Sequence, residues 1–302
     1  MPVDTSKRPM SRDVTVVMPV YNASPFLPRS LASVAAQTLQ PKRIIIADDQ
    51  SPDDSAAVAQ AVAESLNYPN LDVVTLPKNG GCGAARNFGV RSADTEWLAF
   101  LDADDEWEPT FLEEVLDGLE KLNGDFGSSG GVRKLEYKNP PTTSTRLLDG
   151  PAEAIDLTDR FWRQALKFMP IHPSALVIRR SLHDEVGGWC GEVRNGEDTP
   201  LYAEAWRKGR FVFVNKPLFT SIAPMTGVSA AFIPYHDIRV SLGRIGRSAL
   251  RSLAARKRGR GWLFAWWLTA VARRHALYVV RKFKLGKLIS RVRSRGAAAA
   301  RP

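Results

Sequence analysis

Trp97 to Trp107 reads W-L-A-F-L-D-A-D-D-E-W: the apolar residues Leu98 to Leu101 run straight into Asp102, Asp104 and Asp105. Four consecutive apolar residues suit a strand buried on both faces, and a buried parallel strand presents its functional groups at its C-terminal end. Three carboxylates within four residues repel one another, so a fold that gathers them at a strand end normally supplies a cation, or hydroxyls and amides, to satisfy them. A hard divalent ion, Mg2+ or Mn2+, suits carboxylate oxygens and in turn carries phosphates. The competing reading is a solvated acidic turn that caps a helix beginning near Pro109.

Working outward toward the N-terminus, Val14 to Val20 is β-rich, and Pro19, which cannot donate to a sheet ladder, marks the end of that strand. A turn at Tyr21 to Ser24 precedes a helical spacing of Leu27, Leu31, Val34 and Ala35, with Pro25 or Pro28 near its start. Ile44 to Ala47 is a second apolar run that ends in acids, Asp48 and Asp49. The Ala-rich segment Ser55 to Leu66 is helical, and Leu71 to Leu76 is a third strand. Strand, helix, strand, helix, strand implies parallel strands with right-handed crossovers, and a site at their C-terminal ends.

The loop Asn79-Gly80-Gly81-Cys82-Gly83 opens a helical piece, Ala84 to Ser92, that carries Arg86. With Asp102 it imitates part of a dinucleotide fingerprint. It fails as one, because Arg86 takes the third glycine position and the motif follows the third strand instead of the first. A glycine loop approaching a nucleotide, with Arg86 near its phosphates, and a helix-capping loop with Arg86 as a surface charge both remain open. Beyond the acids, Phe111 to Leu122 is an amphipathic helix, and residues 123–150 are strands and loops around the site. Ile171 to Arg180 is expected to be a strand, Gly187-Gly188-Trp189 a turn, Thr199 to Lys208 a helix opened by Gly196-Glu197-Asp198, and Phe211 to Val214 a last short strand.

The 302 residues are 44% hydrophobic and 25% charged, ordinary for a globular protein. Two cysteines, Cys82 and Cys190, without C-x-x-C spacing, support neither a disulfide framework nor a zinc site and point to a reducing compartment. The N-terminal dozen residues lack the apolar core of a secretory signal. The net charge of +10 is unevenly placed: the first 237 residues hold 24 basic and 32 acidic side chains, whereas residues 238–302 hold 18 Lys and Arg and no acid. This divides the chain into a tail, 1–12, a catalytic body, 13–237, and a basic helical extension, 238–302.

Five ordered motifs resemble glycosyltransferase family 2. They are V-T-V-V-M-P-V-Y-N, I-I-I-A-D-D-Q-S, N-G-G-C-G-A-A-R-N-F-G, F-L-D-A-D-D, and G-G-W followed by G-E-D-T-P-L, spread over about Val14 to Phe219. The resemblance implies a GT-A fold, a mostly parallel sheet flanked by helices. It also implies inverting transfer from a nucleotide-diphosphate sugar, a UDP-sugar above all, to a saccharide or lipid-linked acceptor of a cell-surface polysaccharide or glycolipid. On it, Pro19, Val20 and Tyr21 line the base and Asp49 accepts a hydrogen bond from it. Arg86 supports the donor, Asp102 faces the ribose or the metal's waters, and Asp104 coordinates the Mn2+ or Mg2+ ion. Asp198 is the catalytic base, with Glu197 as first alternative, while His172 and Trp189 face the acceptor or are a strand-end histidine and a packed indole. Gln50 stands where the family often has glycine.

A nucleotidyltransferase on the same sheet type would use similar acids but release pyrophosphate. A nucleic-acid binder could use the basic extension but leaves the acids unexplained, so no nucleic acid is expected as a partner. Within the extension, Trp262 to Ala272 is apolar on all sides but only eleven residues long. At roughly 16 Å as a helix it is short of a hydrocarbon core of about 30 Å. Flanked by Arg and Lys, it suits an anionic membrane surface, which places the expected protein on the cytoplasmic face of the cell membrane as a peripheral enzyme.

Overall fold

A computed structural model of the chain describes residues 11–135, 142–194, 196–223 and 243–247. The first part alternates as expected: β1 (Val14–Val20), α1 (Leu27–Ala35), β2 (Arg43–Asp48), α2 (Ser55–Ser65), β3 (Leu71–Thr75), α3 (Cys82–Val90) and β4 (Trp97–Phe100). These four strands are parallel neighbours in the order β3-β2-β1-β4. Then follow β5 (Glu106–Trp107), α4 (Phe111–Leu122), β6 (Phe126–Leu135), β7 (Thr142–Arg146), β8 (Ala154–Asp156), α5 (Phe161–Lys167), a 3-10 turn (Pro173–Ala175), β9 (Val177–Arg179), α6 (Arg180–Val186), α7 (Asp198–Lys208) and β10 (Phe211–Ala223). They extend the sheet as β4-β9-β6-β10-β5, with β9 antiparallel to both β4 and β6.

The strands with apolar runs are covered on both faces, and the period-2 alternation of side chains sorts them into two cores. Val14, Val16, Met18, Ile44, Ile46, Trp97 and Ala99 join Leu31 and Val34 of α1 and Leu112, Val115 and Leu116 of α4 on one side. Val17, Ile45, Leu98 and Phe100 meet Val90 of α3 and Leu201 and Tyr202 of α7 on the other. Each fully buried aliphatic side chain contributes about 1.5–3 kcal/mol, so this double layer holds the strand ends in place. The helix α3 approaches β1 and β2 closely because Gly89 has no side chain; a Cβ there would stand 2.7 Å from Val17 Cγ1 and 3.3 Å from Ala47 Cβ. Arg86, one turn earlier on the same helix, is thereby pressed against the sheet.

Three expectations change. The strand expected over Ile171 to Arg180 shrinks to Val177–Arg179, because Pro173 begins a 3-10 turn and α6 starts at Arg180. The short final strand continues from Val214 to Ala223: Pro217, which cannot donate to the ladder, is absorbed by register shifts against β6 at Val214/Pro217 and Pro217/Phe219. Gln50 replaces a small residue without breaking the turn, since it adopts φ +62°, the left-handed conformation glycine usually supplies, and its Nε2 donates to Leu76 O at 2.5 Å. The expected boundary near residue 237 and the Trp262 to Ala272 segment lie outside the described residues. Among the described residues, no helix is long and apolar enough to cross a membrane.

Candidate active site

Asp49 follows β2, and its backbone N–H donates to Val20 O at the end of β1. Its two carboxylate oxygens accept the N–H groups of Gly80 and Gly81 at 2.6 and 2.7 Å, and Asn79 Nδ2 donates to its carbonyl at 2.7 Å. The glycine loop is therefore folded onto the acid, and Gly81 at φ +86° turns the chain into α3. Asp49, expected to meet the base, is 3% exposed and uses both oxygens on this loop, because two backbone amides stand within reach. Pro19 and Val20 are buried within β1, whereas Tyr21 just beyond it is 48% exposed. Of these three, Tyr21 offers a ring on which a base can stack.

Arg86 is buried at the centre of the site. Nη2 donates to Asp102 Oδ1 at 2.5 Å and Nη1 to Glu197 Oε1 at 2.9 Å. Its guanidinium carbon lies 4.3 Å from the centroid of the Trp189 indole, over which it sits. One planar cation thus joins the end of β4 to the start of α7, using the fork geometry that distinguishes Arg from Lys. Burial pushes the Asp102 carboxyl up, but the charge of Arg86 and its hydrogen bond outweigh that and hold it below the ordinary range. Burial raises the Glu197 carboxyl, offset only in part by Arg86.

Asp104 has a different environment. Among the described residues no other side chain donates to its carboxylate, and burial, with the neighbouring charge of Asp102, pushes its pKa up to about 6. Asp105 is enclosed: Ser174 Oγ donates to Oδ2 at 2.5 Å and Ile222 N–H to Oδ1 at 2.9 Å, and burial followed by the charges of Asp102 and Asp104 raises its pKa well above normal. Asp105 is a structural acid, while the charge of Asp104 is only partly offset by Arg29 and Arg86. That donor set fits a divalent cation. Among the described residues no cluster of three metal-ligating side chains occurs. A divalent ion here would be held by at most Asp104 and Asp102, with its other ligands coming from elsewhere.

His172 precedes the 3-10 turn; its Nδ1 accepts Ser174 N–H at 3.2 Å, which fixes a neutral ring protonated at Nε2. Burial lowers its pKa to about 4 against the opposing influence of Asp102 and Asp198. The ring stacks on Phe219, centroids 5.0 Å apart, and lines a cavity of about 240 Å3 shared with Asp102, Asp104 and Asp105. Asp198 begins α7. Its Oδ1 accepts from Thr199 N–H at 2.7 Å and Thr199 Oγ1 at 3.1 Å, which leaves Oδ2 without a donor among the described residues.

The structure therefore gathers Arg86, Asp102, Asp104, His172, Glu197 and Asp198, and Asp49 and Tyr21 stand at the ends of the strands β2 and β1. Of the two readings of Trp189, the structure fits the packed indole: it is 1% exposed, packed edge-on to Phe100 at 5.0 Å and under Arg86. Arg86, expected to support the donor or to be a surface charge, is buried and pairs with two carboxylates, so it is no surface charge and braces the site. Ser174 went unread: its hydroxyl donates to Asp105 and accepts Asp102 N–H at 3.3 Å, and its carbonyl accepts from Trp107 Nε1 at 2.5 Å. The motif H-P-S, a proline turn between polar residues, was the available signal.

A parallel half with a glycine loop, an acid cluster at the end of β4 and an acid pair opening α7 define an α/β transferase of the GT-A type. The chain belongs to glycosyl transferase family 2, whose sequence profile matches residues 15–187. It is 35% identical over 193 residues to the succinoglycan biosynthesis protein ExoW of Rhizobium meliloti, covering 57% of each chain, so it spans little more than half of that relative. It is 32% identical over 197 residues to the uncharacterized glycosyltransferase YwdF of Bacillus subtilis, covering 64% of this chain and 67% of YwdF. The crystal structure of S. aureus TarS residues 1–349 in complex with UDP-GlcNAc superposes with a TM-score of 0.67 at 20% identity, covering 85% of this chain and 72% of that one, a likeness of fold.

Proposed function

We propose that the protein is an inverting glycosyltransferase that moves a sugar from a UDP-sugar to a hydroxyl of a saccharide or lipid-linked acceptor in cell-surface polysaccharide or glycolipid synthesis, with Mg2+ or Mn2+. The observation that carries this reading is the contrast between two adjacent acids: Glu197 is tied to Arg86, and Asp198 keeps one oxygen open beside His172. TarS, which shares the fold, was crystallised with UDP-GlcNAc and with UDP, which supports the choice of nucleotide.

Tyr21 stacks on the base, and Asp49 holds the glycine loop that borders it. Asp102 and Asp104 would hold the ion, which supplies Lewis-acid neutralisation of the departing diphosphate. Asp198 Oδ2 takes the proton of the acceptor hydroxyl as its oxygen attacks the anomeric carbon from the face opposite the leaving nucleoside diphosphate. General-base assistance of this kind contributes ~10² to 10⁴ in rate. Neutral His172, which lines the cavity with Asp102 and Asp104, orients the acceptor.

The test is release of UDP from a panel of UDP-sugars by the full chain with Mn2+, with Asp198→Asn as control. Release from one sugar by the parent and not by the variant is expected. No release and no thermal stabilisation with any UDP-sugar and metal would overturn the reading. The basic extension and its Trp262 to Ala272 segment support peripheral attachment to the cytoplasmic leaflet. Co-sedimentation of the full chain with anionic but not neutral vesicles is the expected outcome, and equal sedimentation with both would contradict it.

A further inference from the structure

The cavity beside the acids has a second wall that the proposed chemistry does not use. The strands β6 and β7 pair antiparallel with Gly131 opposite Arg146 and Arg133 opposite Ser144, so Arg133 and Arg146 occupy diagonal positions on one sheet face. Both line the cavity of about 240 Å3 with Asp102, Asp104, His172 and Phe219. Neither arginine has an acidic partner among the described residues, although cations elsewhere do, such as Arg43 with Asp72, Lys216 with Glu114 and Arg179 with Glu96. Burial, and then the charge of Arg133, holds the Arg146 guanidinium below its ordinary range. Both arginines are exposed, and two like charges on one sheet face with no ion-pair partner of their own are a modest cost that a bound anion removes.

The sheet order says which reactant that anion belongs to. The nucleotide side, with Asp49 and Tyr21, sits over β1 and β2, and the arginines lie beyond β4 and β9, on β6 and its partner. His172 stands between, within electrostatic reach of both Asp198 and Arg146. Gly131 has no side chain to fill the space between the arginines and the cavity floor; its place is taken by the Phe219 ring, 2.3 Å from where a Cβ would be. The floor there is therefore apolar and aromatic, and the cavity's positive charge comes from the two guanidinium groups, with the acids Asp102, Asp104 and Asp105 on its other wall.

We propose that Arg133 and Arg146 form a subsite for a phosphate group carried by the acceptor, in the cavity that His172 lines with Asp102 and Asp104. Forked guanidinium groups suit phosphate oxygens, and their charge offsets the repulsion that Asp102 and Asp104 exert on an anionic acceptor. This inference rests on the glycosyltransferase reading for the word acceptor, while the anion site itself stands on the cavity alone.

The experiment is phenylglyoxal labelling of the full chain, read residue by residue by mass spectrometry, with inorganic phosphate as the probe and Arg210, exposed and outside the cavity, as internal control. With UDP and Mg2+ saturating, phosphate is expected to slow labelling of both arginines by about tenfold at ten times its dissociation constant, the mass-action limit, and to leave Arg210 unchanged. Protection by UDP and Mg2+ alone would assign the arginines to the donor diphosphate, and protection by neither would remove the subsite; both outcomes overturn the proposal. In parallel, Arg133→Gln with Arg146→Gln should bind UDP with parental affinity and lose phosphate binding. Failure of the parent to bind UDP at all would sink the glycosyltransferase reading instead, with phosphate protection still deciding the anion site.

Discussion

Arg86 Nη1 donates to Glu197 Oε1 at 2.9 Å, joining α3 to the first turn of α7 across 111 residues of chain. The same guanidinium holds Asp102, so replacing Arg86 by Met leaves two carboxylates buried without their cation. Loss of a buried ion-pair partner costs about 3–5 kcal/mol. Urea denaturation of Arg86→Met should show a loss of that order, with Arg86→Lys intermediate, since one ammonium cannot reach both acids in the same geometry. A loss below about 1 kcal/mol would mean the site relaxes without its brace.

Glu197 and Asp198 should separate by phenotype. Asp198→Asn is expected to keep nucleoside-diphosphate affinity and stability and to lose ~10² or more in transfer rate. Glu197→Gln weakens the Arg86 junction, so its main effect is on stability. Steady-state kinetics and thermal melts on both variants check the division, and a rate loss confined to Glu197→Gln would move the base to that residue.

The two shifted groups of the cavity act in opposite directions on pH stability. His172 has a folded pKa of about 4 against an ordinary value of 6.5, so between these values the unfolded chain binds the extra proton and stability falls as pH is lowered. Asp104 has a folded pKa of about 6 against 3.8, so the folded chain holds the extra proton in that window and stability falls as pH rises through it. Without metal, Asp104→Asn should stabilise the protein at pH 7 by on the order of 1–2 kcal/mol after allowance for solvent screening, and by little at pH 4. His172→Asn should flatten the loss between pH 6.5 and pH 4. Urea midpoints at the two ends of the range test both signs.

Gly89→Ala tests whether α3 must lie flat on the sheet. The new methyl meets Val17 Cγ1 at 2.7 Å, and overpacking of this kind costs about 1–3 kcal/mol. Because Arg86 rides on α3, the variant should also lose transfer rate although it touches no substrate. A parental melt together with parental rate would contradict the close approach.

The strands β1, β2 and β4 were legible because their apolar runs are buried on both faces, and the acids at their ends were legible by position. β6 was not resolved as one strand, since F-G-S-S-G-G has low strand propensity; it is a strand because Gly131 leaves room for Phe219, a contact that only tertiary structure supplies. The role of Arg86 depends on partners 16 and 111 residues away, which no local pattern encodes. Arg133 and Arg146 meet only through the register of β6 with β7. α6 escaped notice because seven residues with two buried side chains give too short a helical period to detect.

The most direct test of metal-assisted nucleotide-sugar chemistry at the end of β4 is calorimetric titration of UDP into the full chain, with and without Mn2+, for the parent and Asp104→Asn. The expected result is binding that requires the ion in the parent and is at least about tenfold weaker, near 1.4 kcal/mol or more, in the variant, whose fold is retained. UDP affinity that is the same without Mn2+, or unchanged by Asp104→Asn, would contradict it.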